Sequence, residues 1–187
     1  MNSWPSIGMC LLHVSPISAA EGDLSIVGMS VTLQLPKHMV ARDDPGRASR
    51  ASDTMCLAFR SIALRCDVGL MCLTSSASFL GHYGIRAIEA GTHGSPEVTT
   101  MSAYRMSDLK LPKVKAYSAD VDCDEGNQPV CRATSACNVT AASLGHGKYL
   151  FSNFVLRNHT MNAEVVNRTD VDYVWRYAAS SMRLRGP

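Results

Sequence analysis

Tyr149-Leu150-Phe151-Ser152-Asn153-Phe154-Val155-Leu156-Arg157 is the stretch on which the fold turns. Aromatic and aliphatic residues crowd nine positions between Gly147 and Asn158, the composition of a strand closed at both ends by turn formers. The pattern extends on both sides. From Lys113 onward Val, Tyr, Phe and Thr become common and turn residues recur, which predicts an antiparallel sheet or meander over residues 113–177. Its further strands are expected at Val114–Val121, Thr160–Val166 and Val171–Tyr177. In the last of these, Val171, Tyr173, Trp175 and Tyr177 fall on one face and Asp172 and Arg176 on the other, the period of two that a strand imposes.

The amino-terminal half carries weaker periodicity. Residues Leu24–Leu35 alternate loosely and end at Pro36, predicting a strand; 38–52 reads as an exposed loop around Asp43-Asp44-Pro45-Gly46. A short helix is expected near 54–66, capped by Ser52 or Asp53, because Met55, Phe59, Ile62, Ala63 and Cys66 recur at three- and four-residue spacing. Val68–Thr74 reads as a buried strand, Ile85–Ala90 as a second compact helix, and 180–187 as a loose basic tail. The fold class is therefore α+β and β-rich.

Composition bounds the class of function. A chain of 187 residues is most simply one domain, here 21–187, and Leu, Ile, Val and Phe number 41, so the core must also use Ala and the ten Met. A net charge of +2 opposes disorder, and no run of about 20 apolar residues exists to form a spanning helix, which reads as a soluble chain. A sequence pI near 8.2 with scattered basic residues argues against nucleic acid as a partner; protein or carbohydrate remains. Arg outnumbers Lys 13 to 5, a bias that also suits a chain never selected as a protein.

Residues 1–20 read as a weak signal peptide: Ile7–Val14 is apolar, and Ser18-Ala19-Ala20 offers small residues for cleavage, but no Lys or Arg precedes the run. Its removal takes Cys10 and leaves six cysteines, an even number that a disulfide framework requires: Cys56, Cys66, Cys72, Cys123, Cys131 and Cys137. Of the 15 pairings six cysteines allow, the most local joins Cys123 to Cys131 across the turn formers Asp124-Glu125-Gly126-Asn127 and Pro129. For Cys56, Cys66 and Cys72, in the most apolar part of the chain, buried thiols are the stronger expectation. Asn138, Asn158 and Asn167 each open an Asn-x-Thr triplet and are candidate glycosylation acceptors, with Asn158 and Asn167 expected in turns.

No catalytic residue, metal ligand or cofactor emerges from the motifs. Asp120-Val121-Asp122-Cys123-Asp124-Glu125-Gly126 opens like a calcium loop, but Glu125 stands where the sixth-position Gly belongs and Cys131 where the closing Glu belongs. His82, His93 and His146 sit beside glycines without a spacing that makes them neighbours, and Gly145-His146-Gly147-Lys148 lacks the spacer and hydroxyl of a phosphate loop. The aromatic face Tyr173, Trp175 and Tyr177 is the binding candidate, in competition with a role in the core. The reading that unites these features is a secreted, disulfide-stabilised glycoprotein that binds and does not catalyse. Two alternatives accompany it: a product without selected function, and an intracellular domain with dispersed His and Cys chemistry.

Overall fold

The computed structural model describes residues 21–43, 53–89, 96–100, 107–111, 114–123, 135–158 and 163–184. In chain order the elements are β1 (Glu21–Ile26), β2 (Met29–Gln34), β3 (Met39–Asp43), β4 (Thr54–Ser61), β5 (Asp67–Thr74) and the one-turn helix α1 (Ala77–Gly81). There follow β6 (Ile85–Glu89), β7 (Pro96–Thr100), β8 (Ser107–Lys110), β9 (Lys115–Asp122), β10 (Ser135–Gly145), β11 (Lys148–Asn158), β12 (Ala163–Glu164), α2 (Arg168–Ser181) and β13 (Arg183–Leu184). The fold is β-rich α+β with antiparallel sheets.

An eight-stranded sheet forms the centre, in the order β3-β4-β5-β11-β10-β9-β8 with β12 beside β11. Of the sheet or meander expected over 113–177, β9, β10 and β11 pair as sequence neighbours, and of the strand expected at Thr160–Val166 only Ala163–Glu164 is strand, with 159–162 outside the described residues. β11 then pairs with β5, Phe154 opposite Gly69 and Phe151 opposite Cys72, and this seam joins the two halves of the chain.

Both faces of the central strands are covered, so β4 and β5 are apolar on successive residues rather than alternately. On one face Leu57, Phe59, Met71, Leu73, Leu150 and Phe154 pack against Leu24, Val31 and Leu33 of the β1–β2 hairpin and Val171, Val174 and Trp175 of α2. On the other, Cys56, Leu70, Cys72, Val139, Ala141 and Phe151 meet Leu80 of α1, Tyr83 and Ile85 of β6. Gly69 permits the closest packing. Phe59 and Phe154, two strands apart, lean over it and stack with centroids 5.4 Å apart.

Six sequence expectations are corrected, the loose tail at 180–187 among them: Ser180 and Ser181 end α2, Arg183–Leu184 is β13 paired with β2, and 185–187 lies outside the described residues. Residues near 54–66 form no helix: Thr54–Ser61 is strand β4, and the three- and four-residue recurrence of Met55, Phe59 and Ile62 does not mark the buried side, since Ile62 is 55% exposed while Cys56, Leu57, Ala58 and Phe59 are buried in succession. A continuously apolar strand and a buried helix share that pattern. Val171–Tyr177 is not a strand but the middle of α2, whose buried residues Val171, Val174, Trp175, Ala178 and Ala179 follow helical spacing. Leu24–Leu35 is two strands, turned at Val27-Gly28, where Gly28 takes φ 79°. The 38–52 segment contains β3, with Met39 only 1% exposed; 44–52 lies outside the described residues. Ile85–Glu89 is strand β6, not a helix, and pairs with β7.

Candidate functional site

The face of the sheet beneath α2 carries a polar row in an apolar setting. Ser118 on β9, Thr140 on β10 and Ser152 on β11 are directly opposite one another in register. Trp175 Nε1 donates to Ser152 Oγ at 2.7 Å. One rung along, Asn138 Nδ2 donates to Ser118 Oγ (2.8 Å) and Asp120 Oδ1 (3.0 Å), and the Thr140 hydroxyl donates to Asn138 Oδ1 (2.8 Å). Arg168, in the first turn of α2, pairs with Asp120 Oδ2. Every polar side chain of this row has a partner, so the network fixes where α2 lies on the sheet.

This network decides how the Asn-x-Thr triplets are presented. Asn138 is 3% exposed, with its amide nitrogen already donating beneath the helix. Asn167 is exposed and is the N-cap of α2, its Oδ1 accepting from the Asp170 amide at 2.8 Å. Asn158 ends β11, opposite Ser135 and Ala163.

The aromatic trio does not form a face. On a helix, successive odd positions turn through about 200°, so Trp175 is fully buried, Tyr177 half-buried and Tyr173 exposed, with its hydroxyl donating to Gln34 Oε1 at 2.6 Å. The strand period that grouped these three residues does not apply to them.

The cysteines come together in pairs. Cys56 and Cys72 occupy opposed positions of β4 and β5 with Cα atoms 4.1 Å apart and are disulfide-bonded in the core. Cys123, just past β9, bonds to Cys137 on β10, Cα to Cα 5.4 Å. The sequence expectation that Cys123 joins Cys131 is thereby corrected: the β9–β10 register places Cys137 opposite Val121, within reach of Cys123. Cys56 and Cys72 are buried as expected but paired with each other rather than present as thiols, and Cys66, partly buried, is likewise disulfide-bonded. Cys131 lies outside the described residues.

The histidines stay apart. His82 is exposed after α1, His146 is exposed at the tip of the β10–β11 hairpin, and His93 lies outside the described residues. His38 Nε2 lies 3.2 Å from Asp170 Oδ2, a half-exposed contact that ties the β2–β3 turn to the start of α2. Among the described residues no three His, Cys, Asp or Glu side chains converge as a metal site. Of the acidic segment beginning at Asp120, only Asp120–Cys123 is described, and the Asp120 carboxylate is occupied by Arg168 and Asn138.

A cleft of about 210 Å³ opens between the last turn of α2 and the ends of β9 and β10, lined by Met29, Val114, Leu144, Ala179, Ser180 and Met182. It is smaller than the roughly 300 Å³ at which small-molecule sites begin. No helix among the described residues is long and apolar enough to cross a membrane. No protein family, curated protein or solved structure matches this chain.

Proposed function

We propose that this chain is a disulfide-stabilised β-sheet domain of an oxidising, extracytosolic compartment that acts by binding through its surface. The observation that carries the reading is the Cys56–Cys72 bond, formed between residues already opposed in the register of two central strands. Cytosolic thiols are kept reduced, whereas secreted proteins retain such bonds. Cleavage after Ala20 would leave β1, which starts at Glu21, and every later element intact. Asn167 is the acceptor we assign for a glycan, being exposed at a helix start with only its oxygen engaged.

Peptide mapping of the secreted chain under non-reducing and reducing conditions tests this reading. Linked peptides Cys56–Cys72 and Cys123–Cys137, with a mass decrease at Asn167 after glycosidase treatment, are the expected result. Free thiols at those four cysteines would overturn the compartment, and an unmodified Asn167 the glycan.

A further inference from the structure

Asn138-Val139-Thr140 lies in the body of strand β10, whereas the other two Asn-x-Thr triplets begin at the end of β11 and at the cap of α2. Acceptor triplets ordinarily occupy surface loops, because the modifying enzyme must reach the amide nitrogen and the bulky product must stay in water. β10 is a central strand, with Asn138 opposite Asp120 of β9 and Phe154 of β11. Asn138 is 3% exposed and Thr140 is wholly buried. The folded chain therefore presents neither group that the triplet requires.

A glycan at this position is also incompatible with the packing above it. Asn138 Nδ2 donates to Ser118 Oγ at 2.8 Å and to Asp120 Oδ1 at 3.0 Å. Glycosylation replaces one amide hydrogen by a sugar, so one of these two acceptors loses its donor. The sugar would occupy space that α2 fills, since Arg168 of α2 pairs with Asp120 and Trp175 bonds Ser152, the residue opposite Thr140. Cys137, one residue before the acceptor, is bonded to Cys123 beyond β9, so oxidation holds the triplet in register against β9.

We propose that Asn138 is a folding-gated glycosylation acceptor, modified while β10 is unpaired and, once modified, unable to be buried under α2. The oligosaccharide comes from a lipid-linked pyrophosphate donor. The bond between its anomeric carbon and the pyrophosphate breaks, a bond from that carbon to Asn138 Nδ2 forms, the lipid pyrophosphate leaves, and the displaced Nδ2 proton passes to a base on the transferase. Donor and transferase belong to the secretory compartment, so this role rests on the extracytosolic reading. Asn167 is the contrast: exposed, with only its oxygen engaged, it is open to modification in the folded chain as well.

The test presents the purified full chain to a solubilised oligosaccharyltransferase with its lipid-linked donor, in two forms. One is oxidised and folded; the other has every cysteine blocked as a mixed disulfide, which Cys56, Cys72 and Cys137 are too buried to accommodate in the fold. Glycopeptide mapping is expected to find Asn138 modified at least about a hundredfold faster in the blocked form, because a central strand is exposed only when the sheet opens. The Asn158→Gln/Asn167→Asp variant, with Asn138 as its sole acceptor, is then glycosylated in the blocked form and reoxidised by thiol exchange. It should fail to regain the near-ultraviolet circular dichroism of the parent, whereas the same variant without a glycan should regain it. Equal rates at Asn138 in the two forms, no modification of Asn138 in the blocked form, or recovery of the native spectrum with the glycan in place would each overturn the proposal. Modification of Asn138 confined to the blocked form, with Asn167 bare in both, would uphold it and sink the glycan assigned to Asn167. Because the assay supplies transferase and oxidant, free cysteines in the chain recovered from cells sink only the compartment.

Discussion

Trp175 donates its indole N–H to Ser152 Oγ across 2.7 Å, with both side chains fully buried between α2 and β11. The pair anchors the helix to the sheet through shape and through a single donor that has no other outlet. Ser152→Ala leaves that donor unsatisfied and is expected to lower stability by about 1–3 kcal/mol. Trp175→Ala removes the whole ring and should lower it by about 3–5 kcal/mol. Urea unfolding followed by far-ultraviolet circular dichroism measures both. A Ser152→Ala variant as stable as the parent would mean the hydrogen bond contributes nothing to helix docking.

Gly69 gives a second, sharper prediction. A Cβ there would stand 2.4 Å from Phe154 Cδ1 and 3.1 Å from the Asn153 carbonyl oxygen, so the ring stacked on Phe59 must move. Gly69→Ala is expected to destabilise by roughly 1–3 kcal/mol through overpacking. Phe154→Leu in the Gly69→Ala background should recover part of that loss. A double-mutant cycle reads the coupling, and strict additivity would rule out the proposed contact.

What was legible in the sequence is the part of the fold where sequence neighbours pair in space. β9 and β11 are amphipathic or aromatic runs between turns, and their hairpin logic is local. β10 carries no strand signal because Ala136, Asn138, Thr140 and Ala142 share one face, and neither Ala nor Asn favours a strand outside a buried sheet. β4 is ambiguous because it is central, and with both faces covered its periodicity vanishes; β5, equally central, matches the buried strand expected at Val68–Thr74 because its apolar run is short. The strand expected at Val171–Tyr177 competes with a helical signal in the same residues. Asn167 followed by Asp170 is a helix-start signal, and Val171, Val174, Trp175, Ala178 is a helical stripe; the Val-Tyr-Trp-Tyr alternation masked both. The candidate site suffered accordingly, since the cysteine pairs and the polar row beneath α2 depend on register, which follows only after the strands are placed.

Asn167 serves two proposed roles that one substitution can separate. Its side-chain oxygen caps α2, while glycan attachment would use its nitrogen. Asn167→Asp keeps an acceptor oxygen at the cap and should leave stability within about 0.5 kcal/mol, while abolishing any glycan. Asn167→Ala loses the cap as well and should lower stability by about 1 kcal/mol. Thermal unfolding of both variants after deglycosylation isolates the cap. Equal stability of the two would show that the oxygen does not cap the helix.

The two described disulfides offer a comparison in which chain entropy nearly cancels. They close loops of similar length, with sequence separations of 16 and 14, so each should contribute about 3 kcal/mol by restricting the unfolded chain. Any difference must then come from packing. Cys56 and Cys72 are both almost inaccessible and lie among Leu70, Val139, Ala141 and Phe151, whereas in the second pair only Cys137 is buried and Cys123, at a strand end, is partly exposed. Replacing the first pair by Ala leaves a void in the core and should lower stability by more than replacing the second pair, by about 1–2 kcal/mol. Equal losses in urea unfolding would mean that the sheet closes around the missing sulfurs; a larger loss for Cys123 and Cys137 would mean that the chain beyond β9 depends on its tether to β10 more than the core depends on its own.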